Sequence, residues 1–90
     1  MTSAEQFRAW LVKDKSLQAK SAGDVISRCR RVEKVLDISL EKTVTSARGL
    51  HEVIHSLNQQ RSNNYLKPSS VATLRRAVRL YHEFITSKPV

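Results

Sequence analysis

The sequence predicts an all-α fold, a compact bundle of four helices, and three observations carry that expectation. Apolar residues recur at three- and four-residue spacing through four segments. No segment shows the strict alternation of a half-buried strand. Glycine and proline number only two each in 90 residues, so helices of ordinary length run without interruption. A chain of this length has room for one hydrophobic core, so a single domain is expected over residues 1–90, with its core over roughly 7–86.

The first helix is expected from Ser3 to Asp14. Ser3 and Gln6 have the spacing of a capping box, and Phe7, Trp10 and Leu11 share one face. The second runs from Ala19 to Asp37 on the stripe Ala22, Val25, Ile26, Cys29, Val32 and Leu36. Gly23 weakens its first turns without breaking that rhythm. The stretch from Ile38 to Thr45 is short and charged and reads as a connection packed on the core. A third helix starts near Ser46 and buries Leu50, Val53, Ile54 and Leu57, and the polar run Asn58 to Asn64 ends it as the longest loop. Pro68-Ser69-Ser70 opens the last helix. Its stripe is Val71, Leu74, Ala77, Val78, Tyr81, Phe84 and Ile85, and Lys88-Pro89 stops it.

Charge narrows the function. Sixteen Lys and Arg against eight Asp and Glu leave +8, which suggests a polyanionic partner, nucleic acid first and an acidic membrane surface second. No apolar run approaches the ~20 residues of a membrane span, and duplex DNA rather than a membrane is the expected partner. The N-terminus lacks a basic segment followed by an apolar stretch, so a cytoplasmic protein is expected, nucleoid-associated if the host is prokaryotic. Cys29 has no second cysteine to pair with and reads as a small buried hydrophobe.

The charge is also unevenly placed. Lys67, Arg75, Arg76, Arg79 and Lys88 face a single acid, Glu83, so the last helix and its flanks hold half of the net charge. Arg75, Arg79 and His82 gather opposite Leu74, with Arg76 close by. On the second helix Lys20, Ser27, Arg30, Arg31 and Lys34 line the outer half, with Arg28 at the margin. Two arginine-rich faces suit DNA phosphates, with Ser21, Ser27, Ser70 and Thr73 as further donors. A competing reading is a protein-interaction module that docks on an acidic partner or self-associates through Leu66, Val44 or Leu80.

One motif points elsewhere. His51-Glu52-Val53-Ile54-His55 matches H-E-x-x-H, in which two histidines on one helix side share a zinc ion and the glutamate activates water. Here Leu50, Val53, Ile54 and Leu57 already define the inward face, and the histidines lie about 100–140° round the helix from Leu50. A third ligand is not singled out, and a protease cleft is not predicted. The motif reads as a chance match. No Gly-x-Ser-x-Gly turn, Gly-rich phosphate loop or paired carboxylates suggest other catalysis. A non-enzymatic domain without cofactor, metal or small-molecule substrate is expected.

The order Phe7…Trp10-Leu11, Leu17, Ser21…Val25…Arg28 and Ser70…Thr73-Leu74…Ala77-Val78…Tyr81…Phe84-Ile85 resembles the N-terminal core-binding domain of tyrosine recombinases, the phage-integrase family. The resemblance extends over residues 7 to 85. It implies a SAM-like four-helix bundle forming half of a clamp on duplex DNA, with the second and fourth helices toward the major groove. By that resemblance Lys20, Ser21, Arg28 and Arg31 on the second helix and Thr73, Arg75, Arg76 and Arg79 on the fourth become contact candidates, with Lys67 at its start. It further implies a role in DNA recombination or integration beside a catalytic recombinase or nuclease domain in a longer parent protein. Gln18 stands where a capping Ser is usual and Val25 replaces an aromatic, and these 90 residues hold no recombinase catalytic cluster.

Protein purified without a metal-affinity tag is expected to carry no stoichiometric zinc and no peptidase activity. Elemental analysis checks this, and one tightly held zinc per chain, lost in His51→Ala, would reverse the reading of the motif.

Overall fold

A short apolar stripe must find a partner surface, and in this chain every stripe finds the last helix or a neighbour of it. In the computed structural model, residues 4–62 and 67–87 are described. They form α1 (Ala4–Asp14), α2 (Ala19–Leu36), α3 (Leu40–Thr43), α4 (Ala47–Ser62) and α5 (Pro68–Thr86), and among the described residues there is no strand. The all-α expectation holds, with a short fifth helix added. The radius of gyration is 12.6 Å, close to the ~12 Å of a folded chain of this length.

The α5 helix is the hub. It packs along α2 on one side and α4 on the other, while α1 lies across α2 and reaches α5. Phe7 and Leu11, five residues of the α2 stripe (Ala22, Val25, Ile26, Cys29, Val32), and six of the α5 stripe are buried together. Aromatic rings lock α1 to α5: Phe7 stands edge-on to Tyr81 at 5.0 Å between centroids and 5.2 Å from Phe84. Such pairs prefer edge or tilted contact because the ring face is negative and the edge positive. Trp10 is half-buried, 5.6 Å from Phe84, so Phe7 is the central ring and Trp10 its lid. Leu50, Leu36 and Ile85, expected inside, are likewise half-buried and border the core, and Ile54, also expected inside, is half-buried.

Local signals set the ends. Gln18 precedes α2 in an extended conformation and gives no side-chain cap, so the departure noted at this position leaves the α2 N-terminus uncapped by its own residue. At the other end Asp37 adopts φ 52, which Asp tolerates better than most residues. The Ile38 N–H then returns to the Glu33 carbonyl at 3.1 Å, closing the helix as a Schellman turn does. Glu33 also accepts the Leu40 N–H on its carboxylate at 3.0 Å, so one residue ends α2 and starts α3. Ser46 caps α4 through its hydroxyl, which accepts the Gly49 N–H at 3.1 Å. Pro68 opens α5, where its missing N–H is not needed. The proposed Ser3–Gln6 box and the Lys88-Pro89 stop involve residues outside the described ones.

Two expectations need correction. The Ile38–Thr45 connection contains α3, because Leu40 and Val44 are both fully buried and one helical turn brings residues four apart onto one face. The polar run beginning at Asn58 is helical as far as Ser62 rather than a loop. Polarity alone does not end a helix that lacks Gly and Pro, and here Asn58 accepts a hydrogen bond from α5 while Gln60 is half-buried. Asn63, Asn64 and Leu66 lie outside the described residues.

Cys29 sits at the α2–α5 crossing, fully buried, with its thiol donating to the Ala77 carbonyl at 3.4 Å. Burial, helped by the Glu33 charge, pushes the thiol up to about 12. Its contribution to stability is present below the ordinary thiol value of 9.0 and is lost as pH rises from there toward 12, because the unfolded chain ionises first.

The two glycines test this packing in opposite directions. A Cβ on Gly49 would stand 1.7 Å from the Thr43 carbonyl oxygen, a backbone atom that cannot yield without moving α3. Gly49→Ala is expected to cost about 1–3 kcal/mol or more. A Cβ on Gly23 meets only the tip of Arg8 at 3.0 Å, so Gly23→Ala is expected to gain up to about 1 kcal/mol of helix propensity. Urea unfolding of the two variants measures both signs.

Candidate nucleic-acid interface

The basic residues of α2 and α5 were expected to form two outward faces, and packing sorts them differently. Because α5 is flanked on both sides, residues 80–100° round from Leu74 meet α3 and α4 rather than solvent. His82 is half-buried there, its Nδ1 2.7 Å from the Val44 carbonyl. Arg75 is half-buried as well, and its Nη1 donates to Asn58 Oδ1 at 3.2 Å. The Arg75 Nε is buried without a hydrogen-bond partner among the described residues. Arg75 and His82 therefore stand on the α4 side of α5, apart from the exposed Arg79. Of the basic face expected for Arg75, Arg79 and His82, Arg79 alone is exposed.

The opposite flank of α5 faces α2. There Arg76 meets Ser21, Asp24 and Arg28 around a recess of about 180 Å³, with Leu17 and Val25 as its apolar floor. Arg28 and Arg76 come from helices far apart in sequence, and the Cys29–Ala77 contact next to both brings them to one place. Neither arginine makes an ion pair with a described residue. Two cations elsewhere are paired: Lys15 with Glu83, under the Trp10 ring, and Arg48 with Glu52 at 3.6 Å. The recess opens beside the first turn of α2, which carries no acid and whose N-cap supplies no side-chain hydrogen bond. Backbone N–H groups at such a terminus favour an anion. Two guanidinium groups, a hydroxyl and a helix N-terminus can together donate to a phosphate, with the Asp24 carboxylate beside them.

The remaining candidates disperse. Lys20 is exposed on the α1 side of α2, and Arg31 is exposed on its outer surface. Lys67 is exposed just ahead of α5. Thr73 is exposed, but its hydroxyl donates to the Ser70 carbonyl of its own helix at 2.9 Å. Asp24 is the member of the recess that sequence reasoning missed. Its signal was position, four residues from both Lys20 and Arg28, where helix charges meet.

His51, Glu52 and His55 of the H-E-x-x-H motif are exposed on α4. Glu52 faces Arg48, and His55 Nε2 lies 3.2 Å from the Gln59 side-chain amide. Among the described residues no group of three or more His, Cys, Asp or Glu is placed to hold a metal ion, and no helix is long and apolar enough to cross a membrane. Of the self-association candidates, Val44 is fully buried and Leu80 is partly buried against the core. Val12 is the large hydrophobic side chain that stands exposed among the described residues. Comparison with known proteins gives no match: no family model fits the chain, and no curated protein or solved structure is significantly similar to it.

The sorting of arginines is measurable in the absence of any ligand. Arg75→Ala is expected to lower stability by about 1 kcal/mol, losing its bond to Asn58 and the packing of its stem. The exposed Arg79→Ala is expected to stay within about 0.5 kcal/mol of the parent. Denaturant midpoints of the two variants decide the point.

Proposed function

We propose that this domain is a non-catalytic duplex-DNA-binding unit that grips the phosphate backbone with the joined α2–α5 surface. The observation that carries this reading is the recess where Arg28 and Arg76 converge with Ser21 at the start of α2. Guanidinium groups that make no ion pair with a described residue, held together by a helix crossing, suit a bidentate phosphate contact. The net charge of +8 adds long-range attraction to a polyanion.

The resemblance to the core-binding domain of tyrosine recombinases points the same way. It gives α2 and α5 the role of the DNA-facing helices in a SAM-like bundle. By that resemblance the domain serves DNA recombination or integration in the cytoplasm, at the nucleoid in a prokaryote, and works beside a catalytic recombinase or nuclease domain. The contact set is then Ser21, Arg28 and Arg76 at the centre, with Lys20, Arg31, Lys67, Thr73 and Arg79 around it. Arg75 contributes by holding α5 against α4.

Affinity for duplex DNA is expected to fall steeply with salt, because each neutralised phosphate releases condensed counterions. Arg28→Ala with Arg76→Ala is expected to weaken binding to all sequences and to reduce the slope of log affinity against log salt by about 1.8. Arg48→Ala, on the exposed side of α4, is expected to leave both unchanged. Fluorescence anisotropy with a labelled duplex at several salt concentrations measures this. Native protein without salt-sensitive binding, or a larger effect from Arg48 than from the recess arginines, would defeat the proposal in favour of docking on a protein partner.

A further inference from the structure

The recess between α2 and α5 lies on one flank of α2, and the other flank carries a second, larger one. It has a volume of about 460 Å³ and is walled by Glu5 and Arg8 of α1 and by Lys20, Ser27 and Arg30 of α2. Gly23 lets Arg8 lie across it, since a Cβ there would stand 3.0 Å from Arg8 Nη2. Asp24 borders both recesses. Lys20 and Arg28 each stand four residues from Asp24, the spacing at which helix charges pair. Neither pairs with it: Lys20 lines one recess and Arg28 the other. Arg8 and Arg30 likewise make no ion pair with a described residue, although Glu5 and Asp24 share their recess.

Cations therefore flank α2 on both sides, with Arg8, Lys20, Arg28, Arg30 and Arg76 outnumbering the acids Glu5 and Asp24 and forming no ion pair with a described residue. We infer that the α1–α2 recess is a second DNA-backbone site, with Arg8, Arg30 and Lys20 holding one strand while Arg28, Arg76 and Ser21 hold the other. The dimensions agree. A helix with its side chains is ~10–12 Å across, and the major groove whose two lips carry the phosphates is ~12 Å wide. A duplex astride α2 presents one phosphate lip to each recess. This inference rests on the DNA-binding reading above and brings in α1, which that reading leaves idle.

The test uses the same salt titration with a labelled duplex. Arg8→Ala with Arg30→Ala is expected to lower the salt slope by about 1.8. Combined with Arg28→Ala and Arg76→Ala, the losses are expected to add, as they do for separate sites. Ser27→Glu places a carboxylate in the α1–α2 recess without removing a cation and is expected to weaken binding more than the neutral Ser27→Gln, which removes the hydroxyl alone. Glu and Gln are both good helix formers, so this pair reads charge rather than folding. If Arg8→Ala with Arg30→Ala and Ser27→Glu keep the native slope while the Arg28 and Arg76 changes reduce it, the second site is refuted and DNA binding stands. If the native protein shows no salt-sensitive binding, the DNA reading fails and this site falls with it.

Discussion

The close approach of α2 and α5 at Cys29 and Ala77 is the constraint on which the rest of the structure depends. Two small side chains let one helix set its thiol against the backbone carbonyl of the other at 3.4 Å. A bulky residue at either position would force the axes apart, since helix separation follows the side chains at the crossing. Everything around the crossing is measured from it. Val25 and Val32 fill the α2 side, Leu74, Val78 and Tyr81 fill the α5 side, and Phe7 of α1 closes the end against Tyr81 and Phe84. The arginines next to the crossing residues, Arg28 and Arg76, share a recess for the same reason.

The second organising feature is the corner from α2 to α4. Glu33 gives its carbonyl to Ile38 and its carboxylate to Leu40, so the chain leaves α2 and enters α3 on one residue. Gly49 then allows the start of α4 to press on the Thr43 carbonyl. That contact sets α4 against α5 closely enough for Asn58 to meet Arg75 and for Val44 to meet His82. The corner thus withdraws two polar α5 side chains into the bundle. Arg28 and Arg76, which make no ion pair with a described residue, then remain together on the α2 side.

This placement weighs more for function than the H-E-x-x-H match does. A zinc site needs ligands converging on one point, and His51 and His55 project from an exposed helix face whose neighbours are Arg48 and Gln59. A phosphate site would need donors converging in the same sense, and Arg28, Arg76 and Ser21 line one recess from two helices, with Asp24 beside them. Convergence in space separates the two motifs, and neither five contiguous letters nor a count of arginines contains it.

The sequence by itself determined that the chain is helical, where the long helices begin and end to within a few residues, and most of the residues that became core. Helical periodicity is a local property, and the 3.6-residue repeat writes it directly into the order of apolar residues. Charge likewise singled out α2 and α5. Tertiary structure decided what local rules do not encode. The α3 turn forms because Leu40 and Val44 both find the core, and polar residues beyond Leu57 stay helical because α5 and α2 lie beside them. The same long-range packing gave each arginine its surroundings, placing Arg75 against Asn58, Arg76 beside Arg28, and Arg8 over Gly23. Which flank of a helix meets a neighbour depends on where the other helices cross it, and that is settled only when the whole bundle packs.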